Sequence, residues 1–278
     1  MPASDLRFSR VFPDNATAEL RMSSHTPPFD PSSGRTPPSN SRTVLVIGGS
    51  GGIGRAVCLE FGRHGWYVAI HYRINRQVAE QTLVRVQEAG GDGVICQADI
   101  RDADAVTSLI ERVVGSRRRV DAAVCAAGQA GSSLAIRTAA DQWQAAVDTN
   151  LTGTYHCLQA IGRQMVGQRA GAIMILGSFA SLRGGPGQAA YAASKAGLLG
   201  LVRSAAREWG PSNVRVNLVF PGWQRTPLAG EAMPGPDEVL DHVLGRTPTL
   251  EAVARAVRQL ADYPDGSGQI WNLDSRIF

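Results

Sequence analysis

The sequence predicts an α/β protein: one doubly wound domain, with a parallel sheet of about seven strands and helices on both faces. Three observations carry this. Apolar β-branched runs alternate with stretches of helical periodicity, a glycine-rich turn joins the first strand to the first helix, and the alternation never restarts. The pattern begins at Arg42. Thr43 to Ile47 reads as a strand, and Ile53 to His64 has Ile53, Val57 and Phe61 at helical spacing. Tyr67 to Tyr72 is a strand, Asn75 to Ala89 a helix, Gly93 to Gln97 a strand, Asp102 to Val114 a helix and Val120 to Cys125 a strand. A long helix should follow, with Val147, Leu151, Thr154, Leu158, Ile161 and Met165 on one face. Gly171 to Leu176 is the fifth strand, Ala189 to Trp209 a helix and Val214 to Phe220 the sixth strand. Leu250 to Leu260 is helical and Gln269 to Leu273 is the last strand.

Composition narrows the function classes. The 278 residues are 44% hydrophobic and 19% charged, which excludes a mainly disordered, collagenous or coiled-coil chain. No run of apolar residues is long enough to span a membrane. Asp5, Asp14 and Glu19 near the start argue against a secretory signal or an organellar transit peptide. The formal charge is +4, and the one basic cluster, Arg117-Arg118-Arg119, reads as a solvated turn because no aromatic platform or basic helix accompanies it. Nucleic acid and membrane are therefore not expected partners. Cys58, Cys96, Cys125 and Cys157 are scattered without metal-ligand pairing, as are the five histidines, so a reducing, cytoplasmic setting and no metal site are expected. Residues 1–41 hold 7 of the 15 prolines and read as a disordered Pro/Ser-rich extension, with Met22 an alternative start. Residues 42–278 are the predicted domain.

Two features carry chemistry. Gly48-Gly49-Ser50-Gly51-Gly52-Ile53-Gly54 lies between the first strand and first helix, where glycines let the backbone approach a pyrophosphate and the helix N-terminus supplies free N–H groups. Of 28 basic residues, Lys195 is the only lysine, and it lies four residues after Tyr191 on one helix face. With five tyrosines, that spacing arises by chance in about 2% of placements, small enough to prefer a functional pairing. A fixed ammonium one turn away is expected to bring the tyrosine pKa toward the working range. Ser178 stands at the end of the fifth strand, where chemistry collects in a parallel sheet.

The spacing Gly48, Gly52, Gly54, with Asp99, Ala127-Gly128, Asn150, Ser178, Tyr191, Lys195 and Pro221-Gly222 in this order, resembles the short-chain dehydrogenase/reductases of the classical type, which share a Rossmann-type fold. The resemblance runs from Thr43 to the C-terminus. It implies a catalytic set of Asn150, Ser178, Tyr191 and Lys195, in which Tyr191 is the proton donor, Ser178 polarises the carbonyl, Lys195 also binds the nicotinamide ribose, and Asn150 holds a water linking Lys195 to solvent. It implies nucleotide contacts from Gly48, Ser50, Gly51, Gly52, Ile53, Gly54, Asp99, Ile100, Ala126, Ala127, Gly128, Tyr191, Lys195, Pro221, Gly222 and Thr226. The end of the second strand carries Arg73 and no carboxylate, which favours NADP(H) over NAD(H), although Gly51 stands where many NADP-using relatives place an arginine. Arg76 is a second candidate for the 2′-phosphate.

The chain departs from the family pattern at Ile47, at Cys125-Ala126 and at Asp274-Ser275-Arg276. Residues 223–248, with Trp223, Leu228 and Met233, should form a lid over the substrate. The overall pattern is similar to 3-oxoacyl-thioester reductases, implying a small-molecule or thioester-carried carbonyl substrate and a homotetramer or dimer built on the helices after Asp141 and Ala189. An oxidative secondary-alcohol dehydrogenase and a nucleotide-sensing protein without catalysis remain as alternatives.

Overall fold

The computed structural model describes residues 41–229 and 242–277. The extension at residues 1–40 and most of the expected lid, including Met233, lie outside the described residues. The strands are β1 (Thr43–Ile47), β2 (Tyr67–Tyr72), β3 (Asp92–Gln97), β4 (Ala122–Cys125), β5 (Gly171–Leu176), β6 (Val214–Phe220) and β7 (Ile270–Asn272). They form one sheet in the order β3-β2-β1-β4-β5-β6-β7, and all six pairings are parallel. The order reverses between β1 and β4, and a crevice opens there at the carboxyl ends of the strands.

The helices are α1 (Gly52–Arg63), α2 (Arg76–Glu88), α3 (Ala103–Arg117), α4 (Ala140–Val147), α5 (Gly153–Gln168), α6 (Ala180–Arg183), α7 (Ala189–Trp209) and α8 (Leu250–Asp262). Successive strand residues point to opposite faces, which explains the unbroken apolar runs. Val44 and Val46 of β1 pack with Val57 and Phe61 of α1 and Val257 of α8. Leu45 and Ile47 face the other way, into a second core with Leu109 of α3, Leu158 of α5 and Leu198 of α7.

Two boundaries differ from expectation for definable reasons. β4 starts at Ala122 rather than Val120, because the Gln168 side chain takes both backbone groups of Val120: its Oε1 accepts from the N–H at 3.0 Å and its Nε2 donates to the carbonyl at 2.9 Å. The expected single long helix is two helices, α4 and α5, joined by a π-type stretch at Asp148–Thr152. Its wider turn places Asn150, fully buried, toward the centre of the molecule. The core-facing stripe survives within α5, where Thr154, Leu158, Ile161 and Met165 are buried.

Candidate active site

A cavity of about 760 Å³ opens at the carboxyl ends of β4, β5 and β6. Ser178, Tyr191 and Lys195 line it together, with Ile53, Ala126, Gly128, Pro221, Gly222 and Thr226 from the expected nucleotide set. Trp223 and Leu228 of the expected lid are also in its wall. Its opposite rim joins two loops, where Ser133 N–H donates to the Gly187 carbonyl at 2.9 Å.

Ser178 lies two residues past the end of β5, and Tyr191 and Lys195 lie in the first two turns of α7. Burial holds the Tyr191 phenol above its ordinary pKa, and a hydrogen bond with Ser178 draws it partly back. Lys195 was expected to perform that lowering. Its ammonium instead donates to the Leu176 carbonyl at 2.8 Å, and the residue is 5% exposed. Burial pulls its pKa down to about 8, with the Cys125 thiol opposing. Cys125 is a core thiol, pushed up to about 12 by burial against the nearby Lys195 charge. The protein on its own therefore keeps Tyr191 protonated, the form in which it can donate.

Asn150 satisfies every polar atom of its amide. Oδ1 accepts from the Gln129 N–H at 2.8 Å, while Nδ2 donates to the Gln129 carbonyl at 2.9 Å and to Ser194 Oγ at 3.0 Å. Ser194 in turn donates to the Tyr191 carbonyl at 2.7 Å. Asn150 thus ties the loop after β4 to the helix that carries Tyr191 and Lys195. Gly128 passes between them: a side chain there would approach Asn150 Oδ1 to 3.1 Å and Lys195 Nζ to 3.5 Å. Sequence reasoning missed Gln129 and Ser194, although Ser194 occupies the i+3 position from Tyr191.

The glycine loop fits a dinucleotide phosphate. The Gly51 N-cap has no side-chain cap and the first turn of α1 carries no acidic residue, so its N–H groups are open to an anion. A Cβ at Gly54 would lie 2.1 Å from the Gly48 carbonyl oxygen, and one at Gly48, whose φ is +79°, would lie 2.7 Å from the Ala127 nitrogen. Glycine is required at both. Ser50 is half-buried beside Gly51, and the Thr226 methyl packs on Gly52.

His71 supplies the polar tie that Ile47 and Cys125-Ala126 lack. Gly48 N–H donates to His71 Nδ1 at 2.9 Å, so the ring proton is on Nε2, which donates to the Ala98 carbonyl at 3.1 Å. The ring is 2% exposed, and burial draws its pKa down to about 4. It links the ends of β1, β2 and β3 under the loop. Nothing in its sequence position marks this role except a histidine within an apolar strand.

The remaining expected nucleotide residues lie at the β2–β3 end of the crevice, away from the cavity. Arg73 is exposed and has no ion pair among the described residues, whereas Arg76 is held by Glu80 at 2.8 Å. Asp99 was expected to meet an adenine edge, but both its oxygens bind Arg101, the shorter contact being 2.5 Å, and that bond is the main reason its pKa falls to about 2. Ile100 is buried, with its side chain at Gly153 and its carbonyl bonded to His156 at 3.0 Å. Among the described residues no cluster of metal-ligating side chains occurs and no helix is long and apolar enough to cross a membrane.

A family model described as short chain dehydrogenase matches residues 42–236. The chain is 39% identical over 183 residues to a 3-oxoacyl-(acyl-carrier-protein) reductase of Staphylococcus aureus, an alignment covering 66% of this chain and 74% of that protein. It is 34% identical over 238 residues to the 3-oxoacyl-(acyl-carrier-protein) reductase of a Synechocystis species, covering 84% of this chain and 96% of the relative. The crystal structure of an NAD⁺-bound xylitol dehydrogenase superposes with a TM-score of 0.79 at 24% identity over 84% of this chain and 98% of that one, a likeness of fold. With its parallel sheet, its glycine loop and Ser178, Tyr191 and Lys195 in one cavity, this chain belongs to the short chain dehydrogenase family of oxidoreductases.

Proposed function

We propose that this chain is a cytoplasmic NADPH-dependent reductase that converts the ketone of a 3-oxoacyl thioester to a secondary alcohol. The observation that carries this reading is Tyr191, held protonated by burial and hydrogen-bonded with Ser178 in a cavity that Lys195 also lines. The nicotinamide, when bound, supplies hydride to the carbonyl carbon. Ser178 donates a hydrogen bond to the carbonyl oxygen, and the Tyr191 phenol passes its proton to that oxygen as it becomes an alkoxide. Lys195 would hold the ribose of the nicotinamide, and Asn150, through Ser194 and Gln129, fixes the geometry of α7 against the loop after β4. The names of the two curated relatives point to the thioester substrate. Reduction starts from the protonated phenol that burial favours, and oxidation of a secondary alcohol would start from the phenolate. Copies are proposed to associate as a tetramer or dimer through α4, α5 and α7, where Trp143 and Tyr155 are each 43% exposed.

The test follows nucleotide absorbance with acetoacetyl thioester and NADPH or NADH. Consumption of NADPH in preference to NADH supports the reading; absence of turnover with both, despite nucleotide binding, rejects the thioester and promotes the sensing alternative. Arg73, exposed and without an ion pair among the described residues, supports the NADP(H) preference. Replacing it with alanine is expected to raise the KM for NADPH about 10-fold or more and leave that for NADH nearly unchanged, the loss of one charge-assisted phosphate contact. Equal effects on both nucleotides would remove Arg73 from the 2′-phosphate site.

A further inference from the structure

We infer that Arg276 is an anion-recognition residue in the wall of the substrate cavity, and that the ketone this chain reduces carries a carboxylate. The inference rests on the reading of the chain as a ketone reductase and sets a carboxylate on the substrate where that reading has a thioester.

Arg276 follows β7 in the segment Asp274-Ser275-Arg276, where the family resemblance breaks down. Arg276 lines the same cavity as Ser178 and Tyr191, and its side chain keeps 13% of its surface exposed. Asp274, whose side chain is fully buried, accepts from Arg276 Nε at 2.8 Å and Nη2 at 2.5 Å through one oxygen, and from the Arg276 backbone N–H at 3.0 Å through the other. The guanidinium plane also rests 4.2 Å from the centre of the Phe179 ring. These contacts fix the group in one orientation before any ligand arrives.

A guanidinium has five N–H donors. Asp274 engages Nε and one Nη2 hydrogen, which leaves the edge formed by Nη1 and the second Nη2 hydrogen. No described residue accepts from Nη1. That free edge is the fork that binds a carboxylate with two parallel hydrogen bonds.

Position separates this group from the nucleotide phosphates. β7 lies four strand spacings from β1, about 19 Å at roughly 4.8 Å per strand. Arg276 instead stacks on Phe179, the residue after Ser178, and so faces the end of the cavity where the carbonyl is expected. The charge balance agrees. Among the described residues Lys195 and Arg276 line the cavity and no carboxylate does; Lys195 is already committed to the Leu176 carbonyl. Asp274 has a second neighbour as well: His242 Nε2 stands 3.6 Å from the oxygen that holds Arg276, and both ring nitrogens are buried without a hydrogen-bond partner. A small rotation would give Asp274 a donor when a second anion competes for Arg276.

The test uses the full chain with NADPH and a series of methyl-ketone carboxylic acids, differing in the number of methylenes between ketone and carboxylate, each beside its methyl ester. At the best length the acid is expected to exceed its ester in kcat/KM by about 10-fold or more, and Arg276→Met is expected to bring that ratio close to one. Because Arg276→Met strips a buried carboxylate of its partner, the double variant Asp274→Asn/Arg276→Met is measured beside it and should show the same loss of preference. Calorimetric titration of the same acids into the NADP⁺-bound protein reads binding without turnover. Acid and ester used equally, or an acid preference that survives both variants, overturns the inference while leaving a Tyr191-dependent reductase intact. Arg276-dependent acid binding with no ketone reduced would instead overturn the reductase reading and retain the anion site; no acid binding and no acid preference overturn the anion site outright.

Discussion

Tyr191→Phe is expected to lower the rate of hydride transfer by about two to four orders of magnitude, the range associated with a positioned proton donor. The phenyl ring fills the same space, so the cavity wall and the Ser194 bond to the residue 191 carbonyl persist. Nucleotide titration should therefore still give saturable binding, and single-turnover absorbance should show that the loss falls on kcat. The pH dependence separates this from a merely structural role. The parent enzyme's rate should fall as pH rises through the phenol pKa in the working complex, because the donor is then deprotonated; the residual rate of Tyr191→Phe should lose that limb. A variant within a few fold of the parent at all pH values would remove Tyr191 from the chemistry.

His71→Phe is expected to destabilise the fold by about 2–4 kcal/mol, since it leaves the Gly48 N–H and the Ala98 carbonyl buried without a partner. Denaturant unfolding checks the stability, and a rise of 10-fold or more in the nucleotide Kd is expected beside it because Gly48 opens the phosphate loop. The same ring makes the parent protein acid-sensitive, and the sign follows from its neutral state. The folded pKa is about 4, below the ordinary value of 6.5, so between these values the unfolded chain binds the proton that the folded one refuses. The full contribution is present above pH 6.5. It declines as pH falls toward 4, by roughly 3 kcal/mol in all. His71→Phe should flatten that part of the stability profile, and an unchanged slope would mean that other groups set it.

The strands and helices were legible because each obeys one period along its own length. Leu45 and Val46 face opposite cores, yet both are apolar, and this alone marks a parallel, doubly covered strand. Ser178, Tyr191 and Lys195 were legible because their spacing is local to β5 and α7. The π-type stretch was not, since it depends on Asn150 reaching Gln129 and Ser194, a loop and a helix far away in sequence. The direction of the Lys195 ammonium was not legible for a related reason: i and i+4 spacing places two side chains on one face, but the Leu176 carbonyl decides where the ammonium points.

The extra residue in the turn at Asp148–Thr152 also separates two mechanical demands. In an unbroken α-helix each residue is fixed at about 100° from the last, so any rotation at one end is carried in full to the other. Here α4 packs against α7 near the outer surface, while α5 seats Leu158 and Ile161 in the core beneath the sheet. The wide turn shifts the phase between them, so α4 presents its face to α7 while Thr154, Leu158 and Ile161 of α5 stay turned to the core, with Asn150 held at Ser194.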